Sequence, residues 1–187
     1  MVDLKELHKR FILEHLGPGE VAVDFTMGNG NDTLFLSKTV GESGRVYAFD
    51  IQEAAINSTR ARLVSENAPE NYTLICASHH RVREFVKEPI KAGMFNLGYL
   101  PGASHTVTTL RETTMAAVEA AIDMLLPDGV LIIAVYPGHE EGSLEGDMLR
   151  EYFKTTSRYK ICPSEFRILN SLASPYFFLV EKSPRAK

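Results

Sequence analysis

The 187-residue chain has only two cysteines, Cys76 and Cys162, and neither belongs to a C-x-x-C pair. That scarcity excludes a disulfide framework and a cysteine-rich zinc site. Long apolar runs are also lacking. The longest, Val130 to Tyr136, spans seven residues, against the roughly 20 that a membrane-spanning helix needs. The N-terminal Met1-Val2-Asp3-Leu4-Lys5 carries charge and has no apolar signal core. Basic residues are in no excess, with 20 Lys+Arg against 24 Asp+Glu and a formal charge of −4. This balance speaks against broad, nonspecific coating of nucleic acid, but it leaves room for one RNA docked on a local basic face. No internal repeat or low-complexity segment is visible. With 44% hydrophobic and 24% charged residues, the expectation is a cytoplasmic, membrane-free, single domain over residues 1–187, its first 19 residues forming a helix and turn.

The apolar residues Leu4, Leu7, Phe11, Ile12 and Leu16 recur at helical spacing, so 3–16 reads as an amphipathic helix ended by Gly17-Pro18-Gly19. Strands are expected at 21–25, 46–50, 72–77, 94–97 and 130–135. Helices are expected at about 32–39, 53–67, 80–87, 107–126 and 144–155. Two last strands, near 158–163 and 176–181, have no helix between them. Alternating strands and helices give β-α-β units and a mostly parallel sheet covered on both faces. The adjacent last pair makes one of its members antiparallel.

Asp24 sits inside the first strand, and Met27-Gly28-Asn29-Gly30-Asn31 follows as a glycine-rich turn. Such a turn admits a ligand close to the backbone and leads into a helix N-terminus, where an anionic group is favoured. It also serves as a plain strand-to-helix turn. Asp32 or Thr33 is placed to cap that helix. Thr33 occupies the third position of G-x-G-x-x-G, which weakens a dinucleotide reading. Asp50 ends the second strand, twenty residues after Gly30, with Gln52 beside it. A carboxylate there can accept both hydroxyls of a ribose, or it can cap the helix beginning near Glu53. The third strand leads into Ser78 and His79, beyond the carboxyl end where ligands of open α/β sheets bind. His79 and His80 diverge as loop neighbours, with no spaced partner, so no metal site is expected.

Asn96-Leu97-Gly98-Tyr99 resembles the (Asp/Asn/Ser)-Pro-Pro-(Tyr/Phe) motif of amino-directed methyltransferases, with Leu-Gly for Pro-Pro. In order along the chain stand Asp24-Phe25-Thr26-Met27-Gly28-Asn29-Gly30-Asn31-Asp32-Thr33, Asp50-Ile51-Gln52, Ser78-His79, Asn96 to Gly102, and Tyr136-Pro137-Gly138-His139. Over about residues 20–181 this set resembles the small class I methyltransferases called rRNA methylases. That family includes enzymes acting on 5-aminomethyl-2-thiouridine at the tRNA wobble position. Thr26 stands where class I enzymes in general have Gly, and it fits the smaller family.

The resemblance implies a Rossmann-like class I fold, namely a seven-stranded mostly parallel sheet with an antiparallel C-terminal strand. It implies S-adenosyl-L-methionine as cofactor. Asp24, Gly28 and Gly30 would belong to the cofactor site, Asn29 and Asn31 would meet the amino-acid part, Asp50 and Gln52 the ribose, and Ser78 and His79 the adenosine side. Asn96 and Tyr99 would serve methyl transfer. Apart from the resemblance, which assigns His105 no role, the Asn96 side-chain oxygen and the Leu97 carbonyl are candidate acceptors to orient an amine, and Tyr99 or His105 is a candidate proton relay. His139 follows the fifth strand as a site residue or as a loop residue bonded to Glu140.

The implied partner is the anticodon stem-loop of tRNA, with rRNA or a small-molecule amine as the alternative. A nicotinamide oxidoreductase and a noncatalytic binding module are the readings from other classes. Candidate phosphate contacts are Arg150, Lys154, Arg158, Lys160 and Arg167, and also Arg81, Arg83 and Lys87; each set equally suits a solvated helix face. A homodimer would enlarge the docking surface, with the apolar face of the N-terminal helix as a candidate interface.

Overall fold

The computed structural model describes residues 3–98, 110–138, 140–171 and 173–184. In chain order the elements are α1 (Leu4–His15), β1 (Val21–Asp24), α2 (Asn31–Val40), β2 (Arg45–Asp50), α3 (Glu53–Ser65), β3 (Tyr72–Cys76), a 3-10 turn (His79–Arg81), α4 (Val82–Phe85), β4 (Ile90–Leu97), α5 (Arg111–Met124), β5 (Leu125–Val135), α6 (Glu140–Thr155), β6 (Ile161–Phe166) and β7 (Tyr176–Lys182). The seven strands form one sheet in the order β3-β2-β1-β4-β5-β7-β6. The pairs among β1 to β5 are parallel, and β7 runs antiparallel to both β5 and β6. Among the described residues no helix is long and apolar enough to cross a membrane.

Period-two alternation divides the core into two layers. Val23, Leu131, Ile133, Val135, Phe178 and Val180 face α4, α5 and α6. Their neighbours Ala22, Val130, Ile132, Ala134, Phe177 and Leu179 face α1 and α2. Burial on both faces is why β5 reads as a continuous apolar run. The apolar face of α1 is covered by this sheet. Ile12 is fully buried and Leu16 nearly so, in the same cluster as Val130 and Phe177. That corrects the expected dimer interface: the face is used inside the chain, because the antiparallel β7 extends the sheet beneath it.

Several boundaries differ from expectation. β4 begins at Ile90, and β5 begins at Leu125, before Pro127-Asp128-Gly129. Leu125 pairs with Ile90 across a register shift, so the turn residues form an irregular entry to the strand. α2 begins at Asn31 with Gly30 as N-cap and no side-chain cap bond. Asp32 and Thr33 therefore do not cap it; both side chains are engaged elsewhere, as described below. β6 occupies 161–166 because Lys160 and Ile161 donate backbone bonds back to Ser157, which makes the preceding residues a turn. Pro163 is tolerated there because β6 is an edge strand.

Candidate active site

A cleft of about 1030 Å³ opens beyond the carboxyl ends of the parallel strands. Its centre is the junction of β1 and β4, where the strand order reverses direction. The floor is aromatic. Phe25 stacks on Phe95 at 4.0 Å between ring centroids, and Phe49 lies 6.3 Å from Phe25 on the other side. Gly93 makes room for this stack, since a Cβ there would approach Phe25 to 2.9 Å and Leu131 to 2.7 Å.

The turn after β1 is held from α3. The Thr59 hydroxyl donates to the Gly28 carbonyl at 3.0 Å, Arg62 Nε donates to the Asn29 carbonyl at 2.6 Å, and Ser58 donates to Asn29 Oδ1 at 3.0 Å. Gly28 and Gly30 adopt positive φ of 48° and 78°. The Gly30 Cα lies so close to α3 that a Cβ would stand 2.9 Å from Thr59 Cα. Gly28 N–H in turn donates to Asp50 Oδ2 at 3.2 Å, and Gln52 N–H donates to Asp50 Oδ1 at 3.0 Å. Asp50 thus joins the turn to the end of β2. Burial raises its pKa above the usual carboxylate value, and the backbone donors oppose that rise. Gln52 is the N-cap of α3, but its side chain makes no cap bond.

Gly28, Asn29, Asn31, Asp50, Gln52, Ser78, His79 and Asn96 all line the cleft. Asp24 and Gly30 do not. Asp24 is fully buried behind the wall. It accepts from Thr26 N–H at 3.1 Å and from the Thr33 hydroxyl at 2.6 Å. Burial and then the nearby Asp32 charge raise its pKa to about 7. Its place is structural because β1 directs its side chain toward α2, away from the opening. Gly30 is likewise a packing residue against α3. Tyr99, His105 and His139 lie outside the described residues.

His79 is buried, and burial lowers its pKa to about 4, so the ring is neutral at pH 7. Nδ1 lies 3.2 Å from the Phe25 carbonyl. A carbonyl can only accept, so Nδ1 carries the proton and Nε2 is an acceptor. Among the described residues Nε2 has no hydrogen-bond partner. Ser78 Oγ lies 2.8 Å from His80 Nδ1 at the exposed rim.

Three cleft residues were not expected to act here. Thr26 Oγ1 accepts from Asn96 N–H at 2.7 Å and ties the β1 turn to β4. Asp32 Oδ2 accepts from Asn96 Nδ2 at 2.6 Å. The Tyr136 hydroxyl lies 3.4 Å from Asn96 Oδ1. The signal in the sequence was positional: Asp32 stands in the first turn after the glycine-rich loop, and Tyr136 directly follows β5. The charged lining is acidic, with Asp3, Glu6, Asp32 and Asp50 against Lys9.

The basic residues considered for phosphate contact are largely neutralised. Arg150 pairs with Asp147 and Glu165, Lys154 with Glu151, Lys160 and Arg83 with Asp123, Arg167 with Glu165, and Arg81 with Glu84. Most of that surface is therefore a paired, solvated face.

Residues 46–182 match the family model described as "Putative rRNA methylase". The chain is 36% identical over 176 residues to a chloroplastic tRNA (mnm(5)s(2)U34)-methyltransferase of Arabidopsis thaliana, covering 88% of this chain and 64% of that protein. It thus spans under two thirds of that relative's length. A "putative rRNA-methylase" of Clostridium thermocellum superposes with a TM-score of 0.94 at 34% identity, over 97% of this chain and 98% of that one. A "putative methyltransferase" of Streptococcus mutans, solved in complex with SAH, gives 0.88 at 35% identity over 97% and 99%. The chain belongs to the rRNA methylase family of S-adenosyl-L-methionine-dependent methyltransferases, with their Rossmann-like class I fold.

Proposed function

We propose that this chain is an S-adenosyl-L-methionine-dependent N-methyltransferase acting on the aminomethyl group of 5-aminomethyl-2-thiouridine at the tRNA wobble position. The observation that carries the reading is the Asn96 carboxamide, oriented at the end of β4 by Asp32 and Tyr136. The Arabidopsis relative is named for the methylated nucleoside mnm(5)s(2)U34, and the substrate proposed is that nucleoside without the methyl.

The residues present fit the cofactor. Asp50 in the cleft, with Asp3 and Glu6 at its α1 wall, suits a ligand bearing a sulfonium and an ammonium group. Asp50 and Gln52 hold the ribose, and Asn29 and Asn31 meet the amino-acid part. Ser78 and His79 face the adenosine side. When bound, the cofactor supplies a methyl group activated on a positively charged sulfur. The chain's own contribution is proximity and alignment. An alkylamine is largely protonated near pH 7, by analogy with lysine, so the amine reacts from its small neutral fraction. Asn96 Oδ1 accepts one of its N–H bonds and aims the lone pair.

The test is methyl transfer from labelled cofactor into tRNA carrying 5-aminomethyl-2-thiouridine, followed by nucleoside analysis. The expected product is the methylaminomethyl nucleoside. Label appearing only in rRNA or only on a free small amine overturns the substrate assignment.

A further inference from the structure

We infer that Asp32 is the second acceptor for the substrate amine, and that its carboxylate also fixes which way Asn96 points. The inference rests on the aminomethyl reading above and adds a residue to it.

The orientation follows from donor and acceptor chemistry. An ionised carboxylate only accepts, so the atom of Asn96 placed 2.6 Å from Asp32 Oδ2 must be the amide nitrogen. Oδ1 then points the other way, toward Tyr136, whose hydroxyl lies 3.4 Å off. Burial, and then the Asp32 charge, raise the pKa of Tyr136 and keep that hydroxyl a donor. The backbone cannot let the amide drift, because Thr26 Oγ1 holds Asn96 N–H at 2.7 Å. Asp32 itself is fixed on the first turn of α2 and lines the cleft beside Asn96 and Tyr136. Its Oδ2 is committed to Asn96, while no described residue donates to its Oδ1.

A neutral primary amine has two N–H bonds and one lone pair. Two acceptors are needed to leave the lone pair alone facing the methyl. Asn96 Oδ1 is one, and Asp32 Oδ1 is the other. In the transfer, the nitrogen lone pair forms the N–C bond, and the electron pair of the breaking C–S bond stays on the cofactor's sulfur. Both N–H bonds remain, so the product leaves as a secondary ammonium and no protein base is consumed. Positive charge grows on the nitrogen as the bond forms. A hydrogen bond to a carboxylate therefore strengthens toward the transition state, which is where it accelerates the step.

The test compares Asp32→Asn with the wild type on tRNA carrying 5-aminomethyl-2-thiouridine. Asparagine keeps the size and removes the charge. We expect kcat to fall by about 100- to 1000-fold, the range for losing one preorganised charge-stabilising contact. The dissociation constant for adenosylhomocysteine and the melting temperature stay close to wild type. An active wild type with an equally active Asp32→Asn overturns the inference alone. A loss of adenosylhomocysteine affinity in step with kcat also overturns it, since Asp32 then serves the cofactor. A wild type that puts no methyl into this tRNA overturns the parent reading and this inference with it.

Discussion

Asp24 carries the clearest titration signature in the chain. It lies fully buried, and burial, reinforced by Asp32, moves its pKa from 3.8 to about 7. The folded chain therefore binds this proton more tightly than the unfolded chain. The group's contribution to stability is fully present below pH 3.8, falls as pH climbs toward 7, and is constant above that. Asp24→Asn removes the titration; its carbonyl oxygen keeps the bond from Thr26 N–H, and its amide N–H donates to the Thr33 hydroxyl, which turns from donor to acceptor. Urea melts at pH 5 and pH 8 should show the variant gaining on wild type at the higher pH. With a folded value of about 7, the stretch between pH 5 and pH 7 limits the gain between the two melts to roughly 3 kcal/mol. Parallel wild-type and variant stabilities across that range would refute the account. Asn96 is the opposite kind of residue, open to the cleft and bonded at both ends of its amide. Asn96→Ala should lower turnover by roughly 100-fold through lost alignment, with adenosylhomocysteine affinity within threefold of wild type by calorimetry. A matching loss of affinity would move Asn96 to the cofactor. The sequence made Asn96 visible through its neighbours Gly98 and Tyr99. It did not make Asp32 or Thr26 visible as its partners, because 64 and 70 positions of chain separate the pairs and only the sheet order joins them.

At the scale of elements, the site is the meeting of one turn and one helix. The turn after β1 keeps its shape because α3 occupies its carbonyls through Thr59 and Arg62. Gly30 is where the two elements come closest. Alanine there would hold a positive φ of 78° and place its Cβ 2.9 Å from the Thr59 backbone. Backbone Cα has no room to give, so Gly30→Ala should destabilise by roughly 2–4 kcal/mol, the sum of left-handed strain and overpacking. Thermal denaturation measures this directly, and a melting temperature unchanged from wild type would mean the turn relaxes away from α3. The glycine pattern was legible in the sequence as a turn; its partner was not. The charged α3 gave no sign that Ser58, Thr59 and Arg62 face the loop, since polar residues on a helix read equally as solvated. Boundaries missed by a few residues share that cause: β5 starts early only because Leu125 finds Ile90 across the sheet.

For the whole molecule, a seven-stranded sheet with an antiparallel β7 distinguishes this architecture from a dinucleotide dehydrogenase half. Ligand selectivity should follow. Adenosylhomocysteine at 100 times its dissociation constant stabilises a one-site protein by about 2.7 kcal/mol, which for a chain of 187 residues raises the melting temperature by roughly 5–10 °C. NAD at the same concentration should leave it unmoved, and equal shifts would return the oxidoreductase reading. The acidic balance takes on meaning at this scale as well. With Arg150, Lys154, Lys160 and Arg167 paired to carboxylates, the cleft's negative lining favours cationic ligands over an extended phosphate track.

The sequence by itself determined the alternation of strands and helices, the double-faced core and the positions of the glycine turn, Asp50 and Asn96. These rest on local periodicity and on strand ends, which neighbouring residues specify. Tertiary structure decided which carboxylate is buried and which is open. Asp24 and Asp32 stand eight residues apart on either side of one turn; one is sealed beneath α2 and the other meets Asn96 in the cleft. That division depends on the angle at which α2 leaves the sheet and on β4 lying beside β1, contacts that no local pattern encodes.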